Sequence, residues 1–386
     1  MAKKESKDIV IEKTGRTPEE ILKSVLDSEK ESHDNYKEPV DAGFISTGSL
    51  TLDMEMGGGI YAAGLIRMVG FTEGGKTSQS LEFARNFLKK VPKARVYLAK
   101  AEGRLSEEMQ KRLGLNLVWD ASEWKEGTVF IHETHEYEHV IKTMRDLIQF
   151  NDNGYRYCFI LDSMDALIIK SDLEKEITDN SRVAGAPSLT KKFLQRLGRA
   201  MGFNGHLCIM IGQVSSKIEI SEGAQETRQI SATGGNAALH WSNWILQFEA
   251  RWNGDRIMDD EKKPYDAVKN KIYGHWAKVV IKKSPNETSG KTIKYPIKYG
   301  KIAGSSIWRE YEIVDALKVF KLIEMKGAGW YTISELLIKE LKDNGLDIPE
   351  KIQGTDKFQD YLEANPKLTD YLFEKCLRML TADPKL

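Results

Sequence analysis

The feature that most constrains this chain is a glycine-rich segment, Gly70-Phe71-Thr72-Glu73-Gly74-Gly75-Lys76-Thr77, which has the spacing G-x-x-x-x-G-K-T. The apolar run Leu65–Val69 precedes it like a buried strand, and Ser78–Lys90 follows it with apolar residues at helical spacing. This order predicts a phosphate-binding loop, in which backbone N–H groups from Gly70 to Ser78 surround a polyphosphate. Lys76 would reach the β- and γ-phosphates, and Thr77 would bind a magnesium ion. The alternative is a glycine-rich turn with an exposed lysine, and it requires all these features to coincide by chance.

Length and composition limit the classes of protein to consider. A chain of 386 residues exceeds the size of one hydrophobic core, so we expect two or three units. Lys and Arg number 57, as do Asp and Glu, so any nucleic-acid site has to be local rather than a property of the net charge. The cysteines, Cys158, Cys208 and Cys376, lie in apolar runs without metal-ligand spacing, as is typical of buried thiols in a reducing compartment. With no signal peptide and no apolar run of membrane length, we expect a cytoplasmic protein without a membrane partner.

Strand and helix patterns alternate through the middle of the chain. We predict strands at Leu65–Val69, Arg95–Ala99, Thr128–Ile131, Tyr157–Leu161, His206–Gly212 and Asn243–Ala250. Segments of helical pattern separate the first five of them. This alternation predicts an α/β fold, with a mostly parallel sheet, helices on both faces and ligands at the carboxyl ends of the strands.

Polar side chains follow several of these strands, at the sheet edge where the phosphate loop also lies. Asp162 follows Tyr157–Leu161 in a Walker B arrangement and would hold the magnesium ion through water, opposite Thr77. An apolar run that ends in Asp is a weak signal alone and a strong one after a phosphate loop. Glu102 follows the second strand and could polarise the water that attacks the γ-phosphate, although a solvated turn residue fits nearly as well. Gln213 follows the fifth strand and could sense the γ-phosphate or be a surface polar residue.

In this order the motifs closely resemble the RecA family of homologous-recombination ATPases, from about Phe44 to Met379. Beyond the phosphate loop, the resemblance rests on Phe44–Asp53, Ile160–Leu167, Thr233–Ala237 and Leu322–Tyr331. It implies a RecA-type P-loop core that uses ATP and Mg²⁺, forms helical filaments on single-stranded DNA and exchanges that strand with homologous duplex DNA. The main alternative is a RecA-fold ATPase of another class, such as a ring helicase or a regulatory ATPase. A nucleotide-binding scaffold without catalysis is a third interpretation, which the presence of the catalytic residue types disfavours.

The resemblance also implies roles for individual residues. Glu102 would be the catalytic carboxylate, and Gln213 would couple the γ-phosphate to DNA. Lys283, or Lys282 if the register is shifted by one residue, would reach the nucleotide of a neighbouring subunit and neutralise charge on the γ-phosphate. The alternative for these lysines is the basic end of an edge strand.

Two DNA-binding loops follow from the same resemblance, the first at about Glu174–Pro187 and the second at Val214–Thr233. The second is polar and glycine-bearing, and we expect it to be a structureless stretch that orders on binding. The helix that begins near Ser188 would supply positive charge for phosphates, although a solvated basic face is an equal alternative. The candidate DNA-binding residues are Lys191, Lys192, Arg196, Lys217, Arg228, Thr233, Gly234, Gly235 and Asn236.

The chain departs from the family pattern at several positions. Lys100 stands where family members commonly have an acidic residue, and Ser215 stands where an arginine is common. Met109 replaces the tyrosine that stacks on adenine, so it is the candidate contact for the base. Arg251–His275 resembles an expanded hairpin. These differences predict a divergent member that acts in the cytoplasm of a bacterial cell, or of the host if a virus encodes it.

We divide the chain into residues 1–43, a tail with an oligomerisation helix, residues 44–304, the ATPase core, and residues 305–386, a small α+β domain. Thr17 and Glu20 predict a capping box at the start of the first helix. Its apolar stripe, Ile21, Leu22, Val25 and Leu26, precedes the polar segment Ser28–Pro39. Because a short amphipathic helix on a polar tether is not stable alone, it has to pack either on its own core or on a neighbouring subunit.

Overall fold

The structure is a computed structural model that describes residues 17–32, 40–103, 105, 107–174, 185–216, 230–232, 235–260, 262–266, 268–301, 304–327 and 329–382. Its strands are β1 (Phe44–Ile45), β2 (Ile60–Tyr61), β3 (Gly64–Gly70), β4 (Ala94–Lys100), β5 (Asn116–Val118), β6 (Thr128–Glu133), β7 (Arg156–Asp162), β8 (Leu207–Ser216), β9 (Ile230–Ala232), β10 (Trp244–Phe248), β11 (Arg256–Met258), β12 (Ile272–Lys283), β13 (Thr292–Lys298), β14 (Ile323–Lys326), β15 (Trp330–Ile333) and β16 (Lys351–Gln353). Its helices are α1 (Pro18–Ser32), α2 (Leu50–Glu55), α3 (Lys76–Lys90), α4 (Glu107–Leu113), α5 (Tyr137–Gln149), α6 (Lys170–Leu173), α7 (Gly185–Phe203), α8 (Gly235–Trp241), α9 (Arg309–Val319), α10 (Glu335–Asp343), α11 (Thr355–Ala364) and α12 (Pro366–Ala382), with short 3-10 turns at Ala121–Glu123 and Asn253–Asp255. Within these ranges, no helix combines the length and apolar character needed to span a membrane.

The chain separates into two compact units, Met1–Pro39 and Val40–Leu386. In the first, the predicted capping box is present, because Thr17 Oγ1 accepts from the Glu20 N–H at 3.3 Å and Glu20 Oε2 accepts from the Thr17 N–H at 3.0 Å. Helix α1 continues to Ser32 and so includes the first residues of the polar segment Ser28–Pro39. The stripe residues Ile21, Leu22 and Val25 are exposed.

The second unit is built on a large, mostly parallel sheet. Its strand order in the described part of the chain is β11-β12-β10-β3-β8-β7-β4-β6-β5, with β13 paired to β12 and β9 paired to β8. The strands from β10 to β5 in that order run parallel, while β11, β12 and β13 form antiparallel pairs. Each of the six predicted strands corresponds to one of the parallel strands, so the predicted α/β class is confirmed. The expanded hairpin is present as β11 and β12.

Both faces of this sheet are buried. Side chains alternate along each strand, so that Cys158 and Ile160 of β7 pack into one apolar cluster and Phe159 and Leu161 into another. Helix α3 covers the first face, and α5 and α7 contribute to the cluster on the second. Burial on both faces explains why the strands are continuous apolar runs rather than alternating ones. The cysteines are buried and unpaired, as predicted.

The last part of the chain has an apolar cluster of its own. Helices α9 to α12 pack around the antiparallel strands β14, β15 and β16. Glu312 of α9 joins this cluster to the start of α2, because its carboxylate accepts from Ser49 Oγ at 2.7 Å and from the N–H groups of Leu50 and Thr51 at 3.1 and 3.2 Å. The domain boundaries given above stay predictions.

Candidate active site

The glycine-rich loop joins the end of β3 to the start of α3. Gly70 has a φ of +150°, and a Cβ there would lie 2.2 Å from the carbonyl oxygen of Phe248 on the neighbouring strand β10. Gly75 caps α3 with a φ of +97°, a left-handed conformation that favours glycine. The residues of the loop and of the first helical turn, from Thr72 to Gln79, line one cleft at the N-terminus of α3. Such an arrangement favours an anion.

Lys76 lies against this loop and is 8% exposed. Its Nζ donates to the carbonyl oxygens of Gly70 at 2.9 Å and Phe71 at 2.7 Å. Burial lowers the pKa of Lys76, and the charges of Asp162, Glu102 and Asp165 oppose that shift. Lys76 therefore bonds to the loop carbonyls and interacts with the carboxylates at the neighbouring strand ends.

Asp162 ends β7, two strands away from β3 in the sheet. Its Oδ2 accepts from Thr77 Oγ1 at 3.1 Å, so the structure brings the two predicted magnesium ligands together. The same oxygen accepts from Lys100 Nζ at 2.5 Å, and the parallel register of β4 and β7 places Lys100 beside Asp162. Both partners of this ion pair are nearly buried, with side chains 9% and 4% exposed.

Glu102 and Gln213 lie next to each other at the same edge of the sheet. Glu102 Oε1 accepts from Gln213 Nε2 at 3.1 Å and also from Ser163 Oγ. The N–H of Gln213 donates to Asp165 Oδ2. Sequence reasoning missed Ser163 as a site residue and names Asp165 only as an alternative to Glu102. Ser163 directly follows the Walker B strand and Asp165 comes two residues later, and this position is the available signal.

A cleft of about 600 Å³ contains these groups, a size suited to a nucleotide. Its lining also includes Met109, Arg112, Arg251, His275, Ile297 and Tyr299. Met109 therefore lies where a base contact is possible. Sequence reasoning missed Arg112, one helical turn from Met109, and Tyr299, which directly follows β13 and is 43% exposed.

Arg251 and His275 are two further charged or titratable side chains that line the cleft. Arg251 lies 3.6 Å from Glu73 of the glycine-rich loop. Burial, together with the charge of Arg251, lowers the pKa of His275 to about 4, so its imidazole is neutral near pH 7. Arg112 and Arg251 therefore bring positive charge to the lining of the cleft, and His275 does not.

The residues present fit a nucleotide with magnesium. A hydroxyl and a carboxylate, Thr77 and Asp162, are the oxygen ligands that Mg²⁺ prefers, and Mg²⁺ usually completes its shell with phosphate oxygens and water. Among the described residues, no group of His, Cys, Asp and Glu side chains could hold a metal ion without such additional ligands.

Lys282 and Lys283 lie at the end of β12, away from the residues that line the cleft in the same chain. Lys283 Nζ donates to the carbonyl oxygens of Leu239 at 2.9 Å and His240 at 3.0 Å, in the last turn of α8. A cation is favourable at that end of a helix. The proposed reach of these lysines across a subunit boundary stays a prediction.

The structure describes five of the nine candidate DNA-binding residues. Lys191, Lys192 and Arg196 are exposed on α7, and Arg199, which we had not predicted, continues the spacing of Lys192 and Arg196 along one face. Gly235 and Asn236 begin α8. Lys217, Arg228, Thr233 and Gly234 lie outside the described residues, as does most of the first loop.

The second loop differs from the expected structureless stretch at both ends. Strand β8 continues through Val214 to Ser216, and it pairs antiparallel with β9, so that Val214 lies opposite Ala232. The expectation was wrong at these ends because β8, the strand that carries Gln213, extends past the parallel sheet and pairs there with β9. The loop therefore starts from a paired stem.

A mostly parallel sheet with a glycine-rich loop at one strand end and a Walker B carboxylate at another defines a P-loop fold. The model of the RecA N-terminal domain family matches residues 30–300, and this chain belongs to the RecA family. It is 28% identical over 340 residues to Protein RecA of Rickettsia bellii (strain RML369-C). The aligned region covers 88% of this chain and 84% of that protein. It is 27% identical to Protein RecA of Rickettsia prowazekii (strain Madrid E), over 88% of this chain and 85% of that protein. Protein RecA of Bordetella avium (strain 197N) is 28% identical over 79% of this chain and 76% of its own length. At these identities the chain is a divergent member.

Proposed function

We propose that this chain is a DNA-dependent ATPase that assembles with ATP and Mg²⁺ into filaments on single-stranded DNA, pairs that strand with homologous duplex DNA and exchanges strands. Membership of the RecA family supports an ATPase that acts in recombination and repair. The finer activity is our inference from the site. It would take place in the cytoplasm, of a bacterial cell or of a virus-infected host.

The observation that carries this proposal is the hydrogen bond between Glu102 Oε1 and Gln213 Nε2, at 3.1 Å. Glu102 faces the cleft of the glycine-rich loop, and Gln213 lies on β8, which continues into the stem of the second loop. A γ-phosphate that approached Glu102 would compete for the Gln213 amide. Because Gln213 directly precedes Val214, the first residue of the paired stem, a shift of Gln213 would be passed to the loop stem. This gives a physical link between ATP and DNA.

The hydrolytic step would use charges that the cleft already holds. Lys76 would leave the loop carbonyls to neutralise the β- and γ-phosphates. When bound, Mg²⁺ would supply further neutralisation of the phosphate oxygens from its position between Thr77 and Asp162. Glu102 would orient the attacking water and accept its proton, while the Ser163 hydroxyl holds the carboxylate in place.

Subunit contacts would complete the site. Lys283, or Lys282, would contact the γ-phosphate of a neighbouring subunit's nucleotide, and α1 would pack on that neighbour. Lys283 is bonded to the end of α8, the helix that follows the second loop. This contact joins the residue proposed to reach the neighbouring nucleotide to the helix after the proposed DNA loop, which supports assembly that depends on both ligands.

The exposed basic face of α7 supports a contact with the phosphate backbone of DNA. Lys192 and Arg196 are one helical turn apart and exposed, so both can reach consecutive phosphates. Such contacts carry no sequence information, as a protein that pairs any homologous strands requires. Replacing either side chain by alanine should make the slope of log affinity against log salt shallower by about one unit.

The test is electron microscopy with and without single-stranded DNA and a slowly hydrolysed ATP analogue, together with phosphate release and strand exchange. We expect helical filaments only with both ligands. Gln213→Ala should bring the ratio of turnover with DNA to turnover without DNA close to one, while Gln149→Ala, an exposed glutamine at the end of α5, should keep the ratio of the unaltered chain. Closed rings that form without DNA would favour a ring ATPase and contradict the proposal.

A further inference from the structure

The ion pair between Lys100 and Asp162 has no part in the function proposed so far. Lys100 Nζ lies 2.5 Å from Asp162 Oδ2, and Thr77 Oγ1 donates to that same oxygen at 3.1 Å. The two side chains of the pair are 9% and 4% exposed, so water screens their attraction poorly. The carboxylate that is proposed to hold Mg²⁺ thus already has a cation from its own chain.

Lys100 and a bound magnesium ion would both interact with the same oxygen, Asp162 Oδ2. Their charges have the same sign, so each weakens the binding of the other. Lys100 also lines a neighbouring cleft of about 330 Å³ together with Gln110 and Glu133, and Glu133 lies opposite Lys100 in the register of β4 and β6. The ammonium group therefore has space and a second carboxylate on the side away from Asp162.

We propose that Lys100 is a built-in competitor of Mg²⁺ for Asp162, which raises the Mg²⁺ concentration that nucleotide binding requires. This inference rests on the proposed nucleotide site. Lys100 acts through Asp162 and is a positioning residue, because the contact that carries the effect is with the carboxylate and not with the phosphates. The consequence is a site that loads nucleotide in response to free Mg²⁺ over a higher concentration range than a neutral side chain would give.

The experiment uses the full chain and a fluorescent ADP analogue, titrated with Mg²⁺ at fixed nucleotide. Lys100→Met keeps most of the side-chain volume and removes the charge, and it should lower the half-saturating Mg²⁺ on the order of 10-fold, which corresponds to about 1.4 kcal/mol. Lys100→Arg keeps the charge and should keep the original midpoint. The matched control is Lys90→Met, which removes an exposed lysine about 20 Å along α3 from Thr77 and should also leave the midpoint unchanged.

A Lys100→Met midpoint equal to that of Lys90→Met, or higher, overturns the inference, as does an equal shift in Lys100→Arg and Lys100→Met. If the unaltered chain binds no nucleotide at any Mg²⁺ concentration, the proposed nucleotide site itself fails, so the two failures are distinguishable. Removing the lysine leaves a buried carboxylate without its cation and could prevent folding. Lys100→Gln then takes its place, because the amide can still donate to Asp162 without a charge, and the same downward shift is expected.

Discussion

Replacing Glu102 by glutamine separates the basicity of this side chain from its hydrogen bonds. The Oε1 atom of Glu102 accepts both from Ser163 Oγ and from Gln213 Nε2. An amide oxygen can accept both bonds, so Glu102→Gln should keep the fold and nucleotide affinity. It cannot take a proton from water, and the loss of a positioned base lowers turnover by about 10²- to 10⁴-fold, or about 3–5 kcal/mol in the barrier. Phosphate release at saturating ATP with single-stranded DNA measures this loss, and fluorescence titration measures nucleotide binding.

The control for this variant is Glu107→Gln, at a side chain 89% exposed in the first turn of α4. It makes the same chemical change five residues further along and should leave turnover unchanged. If hydrolysis weakens the proposed filaments, the Glu102 variant should also hold them for longer. Unchanged turnover in Glu102→Gln would refute the reasoning, and Asp165, the other carboxylate bonded to Gln213, would be the next base to test.

Three further predictions concern binding, assembly and pH. Lys76→Ala should abolish hydrolysis and weaken nucleotide binding, because backbone N–H groups alone do not neutralise the phosphates; normal affinity and turnover in that variant would contradict the site. Deleting Met1–Pro39 should leave a folded monomer that binds nucleotide but does not sediment with single-stranded DNA and an ATP analogue, whereas a truncated chain that still assembles would make α1 part of its own protomer. His206 accepts from the Tyr157 N–H at 3.1 Å, and burial lowers its pKa to about 3, below the unfolded value of about 6.5. The stability that it contributes above pH 6.5 should be lost as the pH falls, by about 2 kcal/mol at pH 5, and urea unfolding at pH 7 and pH 5 should show a smaller loss for His206→Gln.

The arrangement of strands could be predicted because the central parallel strands, such as β3 and β7, are buried on both faces. Runs such as Tyr157–Leu161 contain no charged residue, so the apolar pattern of a buried strand is uninterrupted. The polar residue that follows such a run, here Asp162, marks the carboxyl edge of the sheet. The glycine-rich loop then identifies which edge binds the ligand. For the same reason Thr77 and Asp162 could be paired before their distance was known.

Contacts that depend on strand order could not be predicted from local pattern. The bond from Lys100 to Asp162 requires that β4 and β7 be neighbours and that their ends be in register, which no spacing along the chain encodes. Tyr299 reaches the cleft because β13 is added to the far side of β12. The stem of the second loop was missed because polar, glycine-bearing sequence is typical of irregular structure, whereas the pairing of Val214 with Ala232 comes from extension of a buried strand.

Two lysines border the same nucleotide site, and their removal should have opposite consequences. Lys76 is bonded to the carbonyls of the loop that would hold the phosphates, so its charge is attractive to the nucleotide. Lys100 is bonded to the carboxylate that would hold the metal, so its charge is repulsive to Mg²⁺. Lys76→Ala should therefore weaken nucleotide binding at every Mg²⁺ concentration, whereas Lys100→Met should strengthen it where Mg²⁺ is scarce and change it little where Mg²⁺ is saturating. An equal effect of both variants across the titration would mean that only the total positive charge of the cleft matters, and not the atom to which each lysine is bonded.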